Sequence, residues 1–146
     1  MIVGSVSENI EDEKRISITP EILKKYNSLG LEVCINQNYG NHLGFSDKEY
    51  IDQGVKVLKD YKEVLNKSNI IVQMNIPNNV ILKSFKEGQT LIGVLDQHKN
   101  HTELKSLSTN KINCFSLELL PRITRAQAMD ILSSQANLAG YKAVID

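Results

Sequence analysis

The sequence predicts an α/β fold, a parallel sheet flanked by helices, and three observations carry that prediction. Six short runs rich in Val, Ile and Leu recur along the 146 residues. Between them lie segments with apolar residues at helical spacing. The junctions are punctuated by Ser, Thr and Asp where helices would begin and by Gly where they would stop. Strand-like runs alternating with helical ones indicate a parallel sheet with covered faces, and this length supports one domain with a real core.

The elements follow in order. Residues 1–6 read as a short buried strand, followed by an acid-rich polar loop over 7–15. Thr19-Pro20-Glu21 has the form of a helix start, with an N-cap, a proline in the first turn and a carboxylate near the positive end of the dipole. Ile22, Leu23, Tyr26 and Leu29 continue at helical spacing, and Gly30 is a natural stop. Residues 31–35 alternate as a second strand, and 36–44 form a loop rich in Gly and Asn. Ser46 and Glu49 have capping-box spacing, opening a short helix that ends near Gly54. Residues 55–58 read as a weak strand, 60–67 as a helix with Tyr61, Val64 and Leu65 inward, and 69–74 as a buried central strand closed by Pro77. A helix is expected over 79–86, stopped by Gly88, a buried strand over 90–95, a short helix over 102–107 and a last strand over 112–117. The architecture expected is flavodoxin-like or Rossmann-like, with ligands at the carboxyl ends of the strands.

The richest polar chemistry follows the last strand. Pro121 disfavours helix before it. Thr124 with Gln127 three residues on has capping-box spacing, so a single long helix is expected from Thr124 to Asp146. On that helix Gln127, Asp130, Ser134, Asn137 and Tyr141 share one face. Ala128, Leu132, Ala136, Ala139 and Ala143 share the other, which another backbone could approach closely. Uncharged amides and hydroxyls, where a solvated face would carry Lys and Glu, suit hydrogen bonds to a neutral polar ligand. The structural alternative is a capped surface helix, with Gln127 serving the cap and Asp130 complementing the dipole.

Composition narrows the classes. Seventeen basic and 17 acidic residues cancel, which argues against nucleic acid or an acidic membrane as partner. No run approaches the roughly 18 apolar residues of a membrane span, and the start lacks the pattern of a signal peptide. Cys34 and Cys114 lie in apolar strand-like runs and are expected to be buried thiols rather than a disulfide or metal pair. His98 and His101 stand at i, i+3 without a spaced acidic or thiol ligand, so no metal site is expected. The lysines at 24, 25, 56, 59, 62 and 67 read as solvated faces.

The run Pro121-Arg122-Ile123-Thr124-Arg125-Ala126-Gln127-Ala128-Met129-Asp130 resembles the nicotinamide-contacting loop of proton-translocating NAD(P) transhydrogenases, in their NAD(H)-binding alpha component. Its continuation through Ser133, Gly140 and Tyr141 resembles the same family. Arg15-Ile16-Ser17-Ile18-Thr19-Pro20 is similar to a signature shared with alanine dehydrogenases, and the likeness covers essentially the whole chain. It implies hydride transfer between NADH and NADP⁺ coupled to proton translocation, with NAD(H) as cofactor and NADP(H) on a partner component. It also implies a homodimer that docks on membrane and NADP-binding components, cytoplasmic and peripheral on the inner face of the membrane, or on the matrix side in mitochondria. Residues Arg122, Thr124, Arg125, Gln127, Asp130 and Ser133 would contact the cofactor. Residues 1–123 would be an N-terminal α/β domain, and 124–146 a helix linking it to an NAD-binding Rossmann domain beyond this sequence.

A dinucleotide site needs a glycine-rich turn against the pyrophosphate. The eight glycines never form G-x-G-x-x-G, so NADH is expected to bind this chain alone weakly. Arg15 reads as a surface ion pair, whereas the matching arginine in alanine dehydrogenases helps hold a substrate carboxylate. Gln73 and Val94 stand where those enzymes carry lysine and histidine. Neither supplies an ammonium ion or a mobile proton, so amino-acid oxidation is not expected. A non-catalytic α/β binding or assembly module is the alternative from a different class.

Overall fold

A computed structural model describes residues 1–145. Six strands form one wholly parallel sheet: β1 (Ile2–Ser5), β2 (Glu32–Asn36), β3 (Lys56–Leu58), β4 (Ile70–Asn75), β5 (Thr90–Val94) and β6 (Asn113–Ser116). Their order is β3-β2-β1-β4-β5-β6. The chain therefore winds outward from β1 to one edge, returns to β4 beside β1, and winds to the other edge. The loops leaving β1 and β4 part in opposite directions. Their divergence opens a crevice at the strands' carboxyl ends, where sheets of this kind bind ligands.

Between the strands lie α1 (Leu23–Ser28), α2 (Asp47–Asp52), α3 (Tyr61–Lys67), α4 (Asn79–Leu82) and α5 (His101–Thr109), and after β6 comes α6 (Ile131–Ile145). Strand side chains alternate between two apolar clusters, one on each face of the sheet. Cys34, Val64, Leu65, Ile71, Leu91 and Leu107 belong to one. Val3, Ile18, Leu23, Val33, Ile35, Tyr39 and Tyr50 belong to the other. Burial of this kind is the main favourable term in the fold.

Helix starts follow side-chain chemistry closely. Ser46 and Glu49 form the expected reciprocal box, the Ser46 N–H donating to Glu49 Oε2 at 2.7 Å. Asp60 caps α3 through the Glu63 N–H, and Asn78 caps α4. Thr19 has extended backbone but its hydroxyl makes no capping bond. Pro20 opens a single 3₁₀ turn that runs into α1. Gly30 stops α1 with φ of +69°, a conformation that costs glycine nothing.

Besides the helix expected over 79–86, which ends at Leu82, two expectations need correction. The last helix does not start at Thr124. Residues Thr124–Met129 form a 3₁₀ segment without a side-chain cap, and α6 begins only after Asp130, whose ψ of 97° breaks the helical path. The reason is a stronger cap further on. Asp130 Oδ1 accepts from the N–H groups of Leu132 and Ser133 at 3.0 and 3.1 Å, satisfying two donors at once. No residue of α6 is buried, so its alanines remain open to a neighbour; the helix's expected end at Asp146 lies outside the described residues. Cys114 is the second correction. Cys34 is buried, but Cys114 is exposed, because β6 is an edge strand whose residues are covered on neither side as fully as those of β2. Both thiols are free.

Candidate functional site

The loop after β1 is tied to β4 by one side chain. Gln73 sits buried near the end of β4, and its amide spans back to the exit of β1. Oε1 accepts from the Val6 N–H at 2.8 Å and from Ser5 Oγ at 2.9 Å. Nε2 donates to the Val6 carbonyl at 3.1 Å and to Glu8 Oε1 at 3.2 Å. Both acceptor positions and both donor hydrogens are used, which is all that an amide can offer. The paired contacts with one backbone residue fix which way the amide faces. An ammonium group could not take this place, because it would leave the Val6 N–H without an acceptor.

The network continues through hydroxyls. The single hydrogen of Ser5 goes to Gln73, so in the 2.7 Å contact between Ser5 and Tyr39 the phenol is the donor. Tyr39 Oη then accepts from the N–H groups of Ser17 and Ile18 at 3.0 and 3.2 Å. The loop carrying Arg15 and Ser17 is thereby held against the ends of β1 and β2. Tyr39 also meets Tyr50 edge to face, with ring centroids 6.1 Å apart, a favoured aromatic geometry.

Acidic groups line one side of this network. Glu8 Oε1 accepts from the Met74 N–H at 2.6 Å. Burial nevertheless dominates and pushes the Glu8 carboxyl up to about 7, since a desolvated carboxylate is disfavoured. Glu13 behaves oppositely. Arg15 donates to it from Nε at 2.8 Å and from Nη2 at 2.6 Å, and these charge-assisted bonds hold its carboxyl below the usual range. The ion pair expected at Arg15 is therefore bidentate and lies at the mouth of the crevice.

Gln73 and the Glu13–Arg15 pair divide the crevice in two. On one side a cleft of about 440 Å³ is lined by Glu8, Asp12, Glu13, Asn75 and Asn78 among others. On the other, a cleft of about 450 Å³ has walls from Val94, Leu117, Ile131 and Leu132, with Arg15, Ser17 and Gln135 at polar positions. Ser17 Oγ is buried there without a hydrogen-bond partner among the described residues. Val94 ends β5 and supplies only apolar surface.

The loop singled out in the sequence stands beside the second cleft. Arg122, Thr124, Arg125 and Gln127 are exposed, and their side chains make no hydrogen bond among the described residues. Ala126, with 5% exposure, anchors the segment. Asp130 Oδ2 accepts from Ser133 Oγ at 2.6 Å. That bond, the capped N–H groups and the nearby Arg122 charge hold the Asp130 carboxyl below its ordinary value. Asp130 and Ser133 thus form one capping unit, and the next residues, Ile131 and Leu132, wall the cleft. The loop and the crevice are brought together only at this junction.

Sequence reasoning missed Ser5, Glu8, Glu13 and Tyr39, and gave Ser17 no role although it stands in the Arg15–Pro20 run. The one local signal was the position of Ser7-Glu8 directly after a buried strand. No group of three or more His, Cys, Asp or Glu side chains among the described residues could hold a metal ion, and no helix among them is long and apolar enough to cross a membrane.

Comparison with known proteins fits this geometry. The NAD(P) transhydrogenase subunit alpha of Haemophilus influenzae is 34% identical over the whole chain, which spans 28% of that relative. The subunit alpha of Cereibacter sphaeroides is also 34% identical, again over the whole chain, which spans 28% of it. The crystal structure of a transhydrogenase from Sinorhizobium meliloti superposes with a TM-score of 0.92 at 34% identity, covering all of this chain and 43% of that one. The chain therefore spans less than half the length of each of these relatives. The family model for the alanine dehydrogenase/PNT N-terminal domain matches residues 4–139, and the chain belongs to that family.

Proposed function

We propose that this chain is the N-terminal portion of the NAD(H)-binding component of a proton-translocating NAD(P) transhydrogenase. It would work on the inner face of the membrane, or on the matrix side in mitochondria, within a homodimer docked on membrane and NADP-binding partners. The observation that carries the reading is the loop Arg122–Ser133. It carries an unengaged guanidinium and an unengaged amide, and through the Asp130 cap it runs into Ile131 and Leu132, which wall the second cleft.

When bound, the nicotinamide cofactor supplies the hydride. The chain's own contribution is placement, which accounts for much of the acceleration in transfers of this kind. Arg122 presents fixed-geometry donors, and Gln127 presents both a donor and an acceptor, a match for a carboxamide. Asp130 is a positioning residue. Its carboxylate takes two N–H groups of the first turn of α6 on Oδ1 and Ser133 Oγ on Oδ2, so it orients the loop's end and keeps one lone pair of Oδ2 toward solvent or cofactor. Ser133 donates its hydrogen to Asp130 and keeps its lone pairs for a ligand donor. Thr124 and Arg125 present exposed polar groups on the same segment. Pyrophosphate binding would fall to the portion of the relatives beyond the matched length. Residues 1–123 would then act as the fixed wall of the site, with the following helix leading to that portion.

The test is hydride transfer between NADH and an NADP⁺ analogue in the assembled enzyme. Arg122→Ala and Gln127→Ala are each expected to lower turnover by about a hundredfold, the cost of losing near-attack alignment. Turnover within twofold of the parent in both variants would overturn the reading. L-Alanine with NAD is expected to give no turnover, because Gln73 is fully bonded within the fold and Val94 moves no proton.

A further inference from the structure

The loop after β1 is fastened on two sides by different kinds of bond. Toward β2 the ties do not depend on a carboxylate. The Ser7 N–H donates to Asn36 Oδ1 at 2.8 Å, and Asn36 Nδ2 donates to Ser7 Oγ at 2.9 Å. Further on, His42 Nε2 meets the Lys14 carbonyl at 2.7 Å. A carbonyl only accepts, so Nε2 carries a hydrogen there whether the ring is neutral or charged. Between these two ties the loop closes on itself, the N–H groups of Asp12 and Glu13 both donating to the Asn9 carbonyl at 2.9 and 2.8 Å.

Toward β4 the ties are carboxylates. The register of β4 against β5 shifts between Val72 and Asn75, and Gln73 and Met74 have no partner position on β5 or β1. A bulge of this kind re-aims strand groups. It leaves the Met74 N–H for Glu8 Oε1, 2.6 Å away, which also takes Gln73 Nε2 at 3.2 Å. A weaker tie runs from Asn75 Nδ2 to Glu13 Oε2 at 3.4 Å.

Charge does not balance at this docking point when Glu8 is ionised. Glu8 and Glu13 share one guanidinium, Arg15, whose Nε and Nη2 are already given to Glu13. Asp12 lines the same cleft, and the β4 side contributes Gln73, Asn75 and Asn78, none of them charged. Tyr39 adds a buried phenol, and Lys14 and His42 stand at the far tie. A surplus negative charge, partly desolvated, is unfavourable. The loop can shed it by holding a proton or by carrying Glu8 out to water. Because Oε1 already accepts two hydrogens, the proton belongs on Oε2.

We infer that residues 8–13 form a proton-operated flap over the acidic cleft, docked on the β4 bulge while Glu8 is neutral and released when Glu8 ionises, with the ties at Ser7 and Lys14 as its hinges. Release opens the cleft of about 440 Å³ and loosens the Glu13–Arg15 pair at its mouth. The crevice therefore differs in shape between acid and alkali. The inference goes beyond the transhydrogenase reading and does not rest on it.

The experiment follows solvent exchange of the Met74 amide in the 146-residue chain, parent against Glu8→Gln, at pH 4 and pH 8. Glutamine keeps an oxygen for the Met74 N–H and a hydrogen in place of the acid's, and it does not ionise. Comparing the two chains at one pH cancels the intrinsic effect of pH on exchange. The parent-to-variant rate ratio is expected to be at least about tenfold higher at pH 8 than at pH 4. Low urea at pH 8 should leave the parent's Met74 rate unchanged, the mark of a local opening, while speeding exchange at Leu91 within the β5 ladder. His42→Asn should keep the parent's response. In the parent alone, with no variant needed, the Met74 amide shift should titrate with a midpoint near 7, following Glu8. An equal rate ratio at both pH values would overturn the inference. So would a Met74 rate that climbs with urea as Leu91 does, a response lost with His42, or a midpoint near 4.5. None of these outcomes touches hydride transfer, so the flap and the transhydrogenase reading fail separately.

Discussion

Two regions meet at the same crevice and are built on opposite plans. At the ends of β1 and β4, Gln73, Ser5 and Tyr39 spend their hydrogen-bonding groups on each other, on backbone and on Glu8. In the loop that follows β6, Arg122 and Gln127 spend none. The first arrangement is how a fold secures buried polarity. The second is how a surface keeps chemistry in reserve for something outside itself. Polar residue types alone would not tell these apart, since Gln73 and Gln127 are the same residue with contrary roles. What separates them is whether the bonds are already made.

The comparison can be broken most forcefully at Tyr39. Tyr39→Phe keeps the ring and removes only the hydroxyl, leaving two N–H groups and Ser5 Oγ without their partner. Burying such orphans costs about 2–3 kcal/mol, read as a lowered urea midpoint. A stability loss below about 0.5 kcal/mol, the scatter of surface changes, would show that the network is incidental to the fold.

Glu8 tests the same region through pH. Its carboxyl is pushed from an ordinary value of 4.5 up to about 7, chiefly by burial. A carboxyl raised on folding holds its proton more tightly in the folded state. The stability it contributes is complete below 4.5 and is lost as pH rises through about 7. Glu8→Gln keeps an oxygen for the Met74 N–H and cannot ionise. Relative to the parent, it should therefore gain about 1–2 kcal/mol between pH 4 and pH 8, a range that allows for solvent screening of a partly exposed group. A stability difference that stays flat across that window would mean that Glu8 titrates as it does in the unfolded chain.

How much of this could be read from residues alone follows from distance along the chain. The strands were legible because a buried parallel strand is itself an apolar run, as residues 69–74 and 90–95 show. The Ser46–Glu49 box was legible because both partners lie within one turn. The same spacing at Thr124 and Gln127 misled, because a cap competes with its neighbours. Asp130 takes two N–H groups with one oxygen and starts α6 there, leaving the earlier turn as 3₁₀. The Ser5–Gln73 and Ser5–Tyr39 bonds join residues 68 and 34 positions apart. No local spacing encodes such a pair, so a site built from them was invisible although the neighbouring loop stood out.

The smallest expected effect sharpens the contrast from the other side. If Arg122 and Gln127 are reserved for a ligand, the chain alone should scarcely notice their loss. Neither side chain bonds within the described residues, and both are exposed. Arg122→Ala and Gln127→Ala should each change unfolding stability by no more than about 0.5 kcal/mol. Arg122 has one measurable influence inside the chain, its charge near Asp130. Removing it should let the Asp130 carboxyl titrate slightly higher, visible as a shifted midpoint for the Ser133 amide resonance. Gln127→Ala should leave that midpoint in place. A large destabilisation in either variant would mean that the loop belongs to the fold in the way the Tyr39 network does, and the distinction between bonds already made and bonds kept open would not hold at this crevice.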